Sequence, residues 1–259
     1  MEYKDHHEAM EAERMAQEFE VRWEGELPGR RTQVWDAITV HTSSWVWDIS
    51  YEPQVGGAER GLTSGGGRVT AWDRPEHFST YAERRDGWWN ELDYQLEARG
   101  SSSYLRYVHR GVMTGDFDLE LDACRRHTAF YYHSLGEYLG HFRGRDATYI
   151  SVDAPAASAD GGFALVRAAL AIPDDADVGD EVTLTPAGLE PIEAVVDYAT
   201  PVFLGVRSAD ALYRFYGRDA WGWPVGAAHH LFGARVDKDA AQRAWDRWLQ
   251  SLFTTAEVA

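Results

Sequence analysis

Few side chains in this 259-residue chain are equipped for chemistry, and their spacing limits what they can do. Cys124 is the single cysteine, which excludes an intrachain disulfide and a multi-cysteine zinc site. His127 follows it by three residues, close enough on a helix for a thiol to meet a base. Cys124 falls on the apolar stripe of that helix, however, and no nearby carboxylate stands ready to orient the imidazole. His127, His133 and His141 lack the i, i+4 spacing of a helical zinc pair, and no HEXXH run is present. His6 and His7 sit among carboxylates with no later ligand at a fixed spacing, so the sequence implies no metal and no cofactor.

Acid–base chemistry needs no local motif, because an imidazole or phenol held beside a bound molecule is enough. Tyr107 and His109 share one face of one expected strand, Asn90 and Tyr94 share a face of its neighbour, and Tyr131 lies on the helix that follows. The commoner role for each is a satisfied hydrogen bond in a core. His229 and His230 are adjacent on another strand, where alternation sends one inward and one to solvent.

Composition narrows the partners. Net charge is −17 and Lys4 and Lys238 are the only lysines, so nucleic acid and anionic membrane surfaces are disfavoured. Apolar residues make up 44% and aromatics 13%, with eleven Trp, enough to fill a core and also wall a pocket. The N-terminus lacks an apolar signal run, and no window approaches the ~20 apolar residues that span a bilayer. The expectation is a cytoplasmic bacterial protein without membrane insertion.

The elements that must position these residues follow from periodicity. Residues 1–17 read as a polar tail or helix. Phe19, Val21 and Trp23 alternate with charged residues as a first strand, Val34, Trp35, Ile38 and His41 keep helical spacing, and Trp45 to Tyr51 alternate again. Glycines 56 to 67 punctuate a meander whose longest strands are 88–98 and 103–112, joined by a turn at Arg99-Gly100-Ser101. Cys124, Thr128, Tyr131, Leu135, Tyr138 or Leu139, and Phe142 mark the stripe of a long helix over 118–143. Small polar residues at 151–162 suggest a boundary. Beyond it a short helix, five strands and an amphipathic helix carrying Trp245, Trp248 and Leu249 repeat the order, and AVVDYATPVF at 194–203 echoes VTAWDRPEHF at 69–78. The expected organisation is a tail at 1–17, a first module at 18–150 and a smaller related module at 151–259.

The segments VWDAIT (34–39), GGAERGLTSGGGRVTAWDRPEHF (56–78), GWWNELDYQLE (87–97), YLRYVHRGV (104–112) and HTAFYYHSLGEYLGHF (127–142) resemble the START-like, or SRPBCC, superfamily. The likeness is to its branch similar to the activator of the heat-shock protein 90 ATPase, in the two-module bacterial form, with ALYRFYGRDAWGWPVGAAHHLFG (211–233) in the second module. The resemblance implies an α+β helix-grip fold, an antiparallel sheet wrapped around a long C-terminal helix, followed by a second smaller module of related design. Relatives include lipid and metabolite carriers, hormone receptors, polyketide cyclases and co-chaperone domains, and fold alone does not choose among them. The leading expectation is a cavity for a small hydrophobic or aromatic ligand, with Trp47, Trp88, Tyr94, Tyr107 and Tyr131 as walls and Asn90 and His109 fixing orientation. A cyclase or aromatase using the same cavity, a co-chaperone-like interaction module and a homodimer stay open.

Overall fold

The computed structural model describes residues 16–173 and 175–254, so the polar tail expected at 1–17 lies almost wholly outside the described residues. Two compact units divide the chain. One comprises residues up to Thr42 together with Asp48–Gly140; the other comprises Ser43–Trp47 and the chain from His141 onward.

The first unit is a seven-stranded antiparallel sheet with one short and one long helix. Strand β1 (Gln17–Pro28) leads to α1 (Arg31–Thr39), which buries Val34, Trp35 and Ile38. β2 (Ser50–Tyr51), β3 (Ala58–Arg60), β4 (Gly67–Asp73), β5 (His77–Glu83), β6 (Trp89–Arg99) and β7 (Ser102–Met113) then run as a meander. β1 returns to pair with β7, giving the order β1-β7-β6-β5-β4-β3-β2. Gly100, at φ +66°, supplies the left-handed residue that the two-residue turn between β6 and β7 requires. Leu92, Tyr94 and Leu96 face the core as their alternation with charged residues demands. Helix α2 (Phe117–Glu137) follows and ends in a π-helical turn over Tyr138–Phe142. Asp116 caps it by accepting the Leu119 N–H at 3.2 Å, and Asp118 and Glu120 complement the positive end of its dipole. Trp23 of β1 and Tyr107 of β7 both meet Tyr132 of α2, so the helix lies on the inner face of the sheet in the helix-grip arrangement.

Two local expectations are corrected here. The alternation over 45–51 does not make a strand: a 3-10 turn at Thr42–Ser44 precedes a bent segment in which Trp45 and Val46 are both buried, and extended pairing begins only at Ser50. The expected stripe of α2 is buried at Thr128, Leu135, Tyr138, Leu139 and Phe142, but Ala123, Phe130 and Tyr132 widen it, while Cys124 and Tyr131 are half-buried.

The second unit repeats this winding with a six-stranded antiparallel sheet. Its strands are β8 (Thr148–Asp153), β9 (Glu181–Leu184), β10 (Ile192–Ala199), β11 (Phe203–Arg207), β12 (Ala211–Tyr216) and β13 (Gly226–Leu231), in the order β8-β13-β12-β11-β10-β9. Helix α3 (Gly162–Ala169) intervenes after β8, and α4 (Lys238–Thr254) closes the chain by setting Trp245, Trp248 and Leu249 against Phe215, Val196 and Val206. As in the first unit, the opening strand pairs with the last strand of a meander. The sequence echo is structural too, because β4 and β10 each carry a register shift, between Val69 and Ala71 and between Val196 and Tyr198. β8 begins before the small polar residues at 151–162 and runs into them, because Ile150 and Val152 bury one face of it.

Candidate functional site

In the first unit the register of β6 and β7 decides which polar side chains meet. Asn90 stands opposite Gly111, and His109 opposite Leu92, which makes Asn90 and His109 diagonal neighbours on the inner face. Asn90 Oδ1 lies 2.6 Å from His109 Nε2, and His109 Nδ1 lies 3.5 Å from the Sγ of Cys124 on α2. An amide oxygen is an acceptor, so Nε2 carries the proton, and the bare Nδ1 faces the thiol, whose S–H points back to it. The result is a chain of three side chains, Asn90–His109–Cys124, drawn from two strands and a helix.

Burial sets its protonation. Desolvation lowers the His109 pKa to about 4. It raises the Cys124 thiol to about 11, against a smaller opposing effect of the Thr128 hydroxyl. Both groups are neutral near pH 7, and moving the proton from sulfur to nitrogen is strongly uphill. The arrangement is thus a neutral hydrogen-bonding platform rather than a thiolate–imidazolium pair.

Beside this platform the interior is aromatic and close-packed. Trp23 stacks on Tyr132 at 4.5 Å, Tyr132 meets Tyr107 at 4.8 Å, Tyr107 meets Tyr94 at 5.0 Å, and Tyr94 stacks on Phe78 at 5.4 Å. Tyr94, Tyr107 and Tyr132 are 6%, 6% and 3% exposed, and desolvation holds all three phenols protonated. Such a ring chain contributes about 0.5–1.5 kcal/mol per pair beyond the area it buries. Phe19, Asn90, His109 and Cys124, by contrast, are only half-buried, so access lies at their end of the interior.

Of the residues singled out from sequence, Asn90, Tyr94, Tyr107 and His109 therefore lie together on the inner face. Three do not join them. Trp47 falls in the Ser43–Trp47 segment of the second unit. Trp88 precedes β6 and stacks under the Arg84 guanidinium at 4.1 Å. Tyr131 turns its ring to His127, 5.9 Å away, because one helical step of about 100° separates it from the position that Tyr132 occupies over Trp23. Cys124 joins through His109 rather than His127, whose Nδ1 donates to the Ala123 carbonyl at 2.8 Å. A search restricted to neighbours in sequence cannot find that pairing.

Gly111 lets its neighbours pack directly against the β7 backbone. A Cβ there would lie 2.7 Å from the Trp89 carbonyl oxygen, 3.0 Å from Phe19 Cε1 and 3.3 Å from Asn90 Oδ1. Gly111→Ala is expected to lower stability by about 1–3 kcal/mol and to weaken the Asn90–His109 bond. Urea unfolding together with the His109 ring-nitrogen shifts reads both; unchanged shifts would mean that the contact is soft.

His229 and His230 correct a second expectation, since both are buried, at 0% and 1% exposure. His229 packs on Trp245 at 4.2 Å on the core side. On the other face His230 Nδ1 donates to the Ser43 carbonyl at 2.8 Å, because the Ser43–Trp47 segment covers the surface that alternation would leave to solvent. Among the described residues no group of three or more metal-ligating side chains converges, and no helix is long and apolar enough to cross a membrane.

No protein-family model and no curated protein matches the sequence. Solved structures similar to the chain include DynU16 from the dynemicin biosynthetic locus, 14% identical over 92% of this chain and 98% of that one, with a TM-score of 0.39. CalU16 from Micromonospora echinospora is 14% identical over 48% of this chain and 85% of its own, with a TM-score of 0.38. The Aha1 dimer from Colwellia psychrerythraea is 19% identical over 47% and 96%, with a TM-score of 0.37. At these values no residue role is carried across.

Proposed function

We propose that the first unit is a START-like module that binds a small, neutral, apolar or aromatic molecule at the half-buried end of its sheet–helix interior. One observation carries this reading: a satisfied, uncharged Asn90–His109–Cys124 chain borders an aromatic core on the side where the side chains are accessible. A charged ligand would meet no compensating charge on this platform, whereas a flat ring meets Phe19, Tyr107 and the imidazole edge.

Calorimetric titration of the full chain with 2-naphthol tests it. The expected result is saturable one-to-one binding that Asn90→Leu weakens at least about tenfold, or ~1.4 kcal/mol, with the melting curve of the variant still cooperative. Absence of binding, or binding indifferent to Asn90→Leu, would count against the site.

A cyclase-like reaction is the second reading, favoured by the way Asn90 orients His109 as a second residue orients a general base. A base with a pKa of about 4 works only on an acidic proton, such as one between two carbonyls. Turnover lost in His109→Ala with ligand affinity kept would support it.

A further inference from the structure

Each sheet ends in its opening strand, β1 in the first unit and β8 in the second, and the outer edges of these two strands are finished differently. In the second unit α4 seals β8. Gln242 Oε1 accepts the Ser151 N–H at 3.2 Å while its Nε2 donates back to the Ser151 carbonyl, and Gln250 Nε2 donates to the Asp153 carbonyl at 3.0 Å. Side-chain amides there supply the bonds that a further strand would make. β1 receives nothing comparable. Among the described residues its main chain bonds to β7 alone, from Gln17 opposite Met113 to Pro28 opposite Ser102, with no register shift along its 12 residues. An antiparallel neighbour takes every second N–H and C=O pair of a strand, so the other half of the β1 groups point away from the sheet. A long, regular edge of this kind is a template for another strand.

The side chains of β1 decide which strand fits. Its outer face presents Glu18, Glu20, Arg22, Glu24 and Glu26, all exposed. A second copy, related by a two-fold axis, would run antiparallel and set these residues against themselves. Centred on Arg22, it opposes Glu20 to Glu24 and Glu18 to Glu26; shifted by one position, it opposes Glu18 to Glu24 or Glu20 to Glu26. Like charges directly opposite are destabilising, and four carboxylates with one guanidinium leave no register of useful length free of them. On the same face β7 adds Arg106 and Arg110 while β6 adds Glu91, Asp93 and Glu97, so carboxylates still outnumber arginines. On the inner face Phe19 and Trp23 are half-buried and offer apolar cross-strand contacts.

From this edge and its charge we infer that β1 is a docking strand for an extended segment of another protein, one that alternates apolar residues, set beside Phe19 and Trp23, with lysine or arginine, set beside Glu18, Glu20, Glu24 and Glu26. Main-chain bonds supply the affinity, and the alternation selects the partner.

Amide hydrogen exchange of the full chain, followed by NMR and joined to calorimetry, tests the inference. The probe is a capped peptide of alternating valine and lysine, as long as β1. Saturation with it should slow exchange at the outward N–H groups of β1 by at least about tenfold and leave β8 unchanged. Two control peptides should bind at least about tenfold more weakly: one with glutamate in place of lysine, and the lysine peptide N-methylated at one central valine and one central lysine, so that each of its edges carries a methyl. Glu18→Lys combined with Glu26→Lys should weaken the lysine peptide by a similar factor with the melting curve unchanged, because both carboxylates are exposed and neither is in an ion pair among the described residues. Failure of the lysine peptide to bind, binding without protection of β1, or equal affinity for the N-methylated peptide overturns the inference. So does slow exchange along the outward edge in the chain alone, which would mean that a second copy or the chain's own N-terminal segment already holds it.

Discussion

Replacing Asp197 with Ala should lower the stability of the second unit by about 3–5 kcal/mol. The carboxylate is 3% exposed and pairs at 2.9 Å with the guanidinium of Arg214, whose side chain is fully buried. Arg214 also donates to the Tyr213 carbonyl at 3.1 Å, and removal of Asp197 takes a full counter-charge from its buried guanidinium. Asp197 lies at the register shift of β10, between Val196 and Tyr198, on the face it shares with Gly205 and Arg214. Gly205 leaves it room, since a Cβ there would lie 2.5 Å from Asp197 Oδ1 and 2.8 Å from Arg214 Nη1. The joint change Asp197→Leu with Arg214→Met should recover most of the loss, because the expense lies in the unpaired charge rather than in the absence of the pair. Guanidinium unfolding followed by the fluorescence of Trp245 and Trp248 measures all three proteins. A loss under about 1 kcal/mol for Asp197→Ala would mean that water reaches Arg214.

Acidification should unfold the second unit before the first. Burial depresses His229 and His230 to about 3, and His109 in the first unit to about 4. In an unfolded chain a histidine takes up its proton near pH 6.5. Between pH 6.5 and these lowered values, then, the unfolded state binds more protons than the native state, and stability rises with pH. The contribution is fully present above pH 6.5 and is lost as pH falls toward 3. Per buried histidine the loss between pH 6.5 and 5 is about 2 kcal/mol, hence about 4 kcal/mol for the second unit and about 2 kcal/mol for the first. Thermal melts from pH 7 to pH 4.5 should show the second unit's transition falling faster, with a shallower slope in His230→Gln. A parallel decline in both units would show that carboxylates dominate instead.

The fold was legible where alternation was strong. Phe19, Val21 and Trp23 against their charged neighbours, and the β6–β7 pair around Gly100, place strands, faces and turn together. What failed did so for local reasons. Tyr131 and Tyr132 are the same residue type one step apart, and only contact with Trp23 and Tyr107 separates them. His230 is buried by a segment more than 180 residues earlier in the chain, which periodicity within β13 cannot report. The Asn90–His109 pair was within reach, because counting outward from the Gly100 turn sets Asn90 opposite Gly111 and His109 one diagonal away. Cys124 was not, since its meeting with His109 depends on how α2 lies across the sheet.

The central claim is that the Asn90–His109–Cys124 end of the first unit receives a small neutral ring, and the ring-nitrogen NMR spectrum of His109 tests it most directly. In the free protein at pH 7 His109 should be a neutral imidazole with its proton on Nε2, and saturation with 2-naphthol should shift both nitrogen resonances while the tautomer persists. Binding that leaves the His109 nitrogens unmoved, or an imidazole already charged at pH 7, would contradict it.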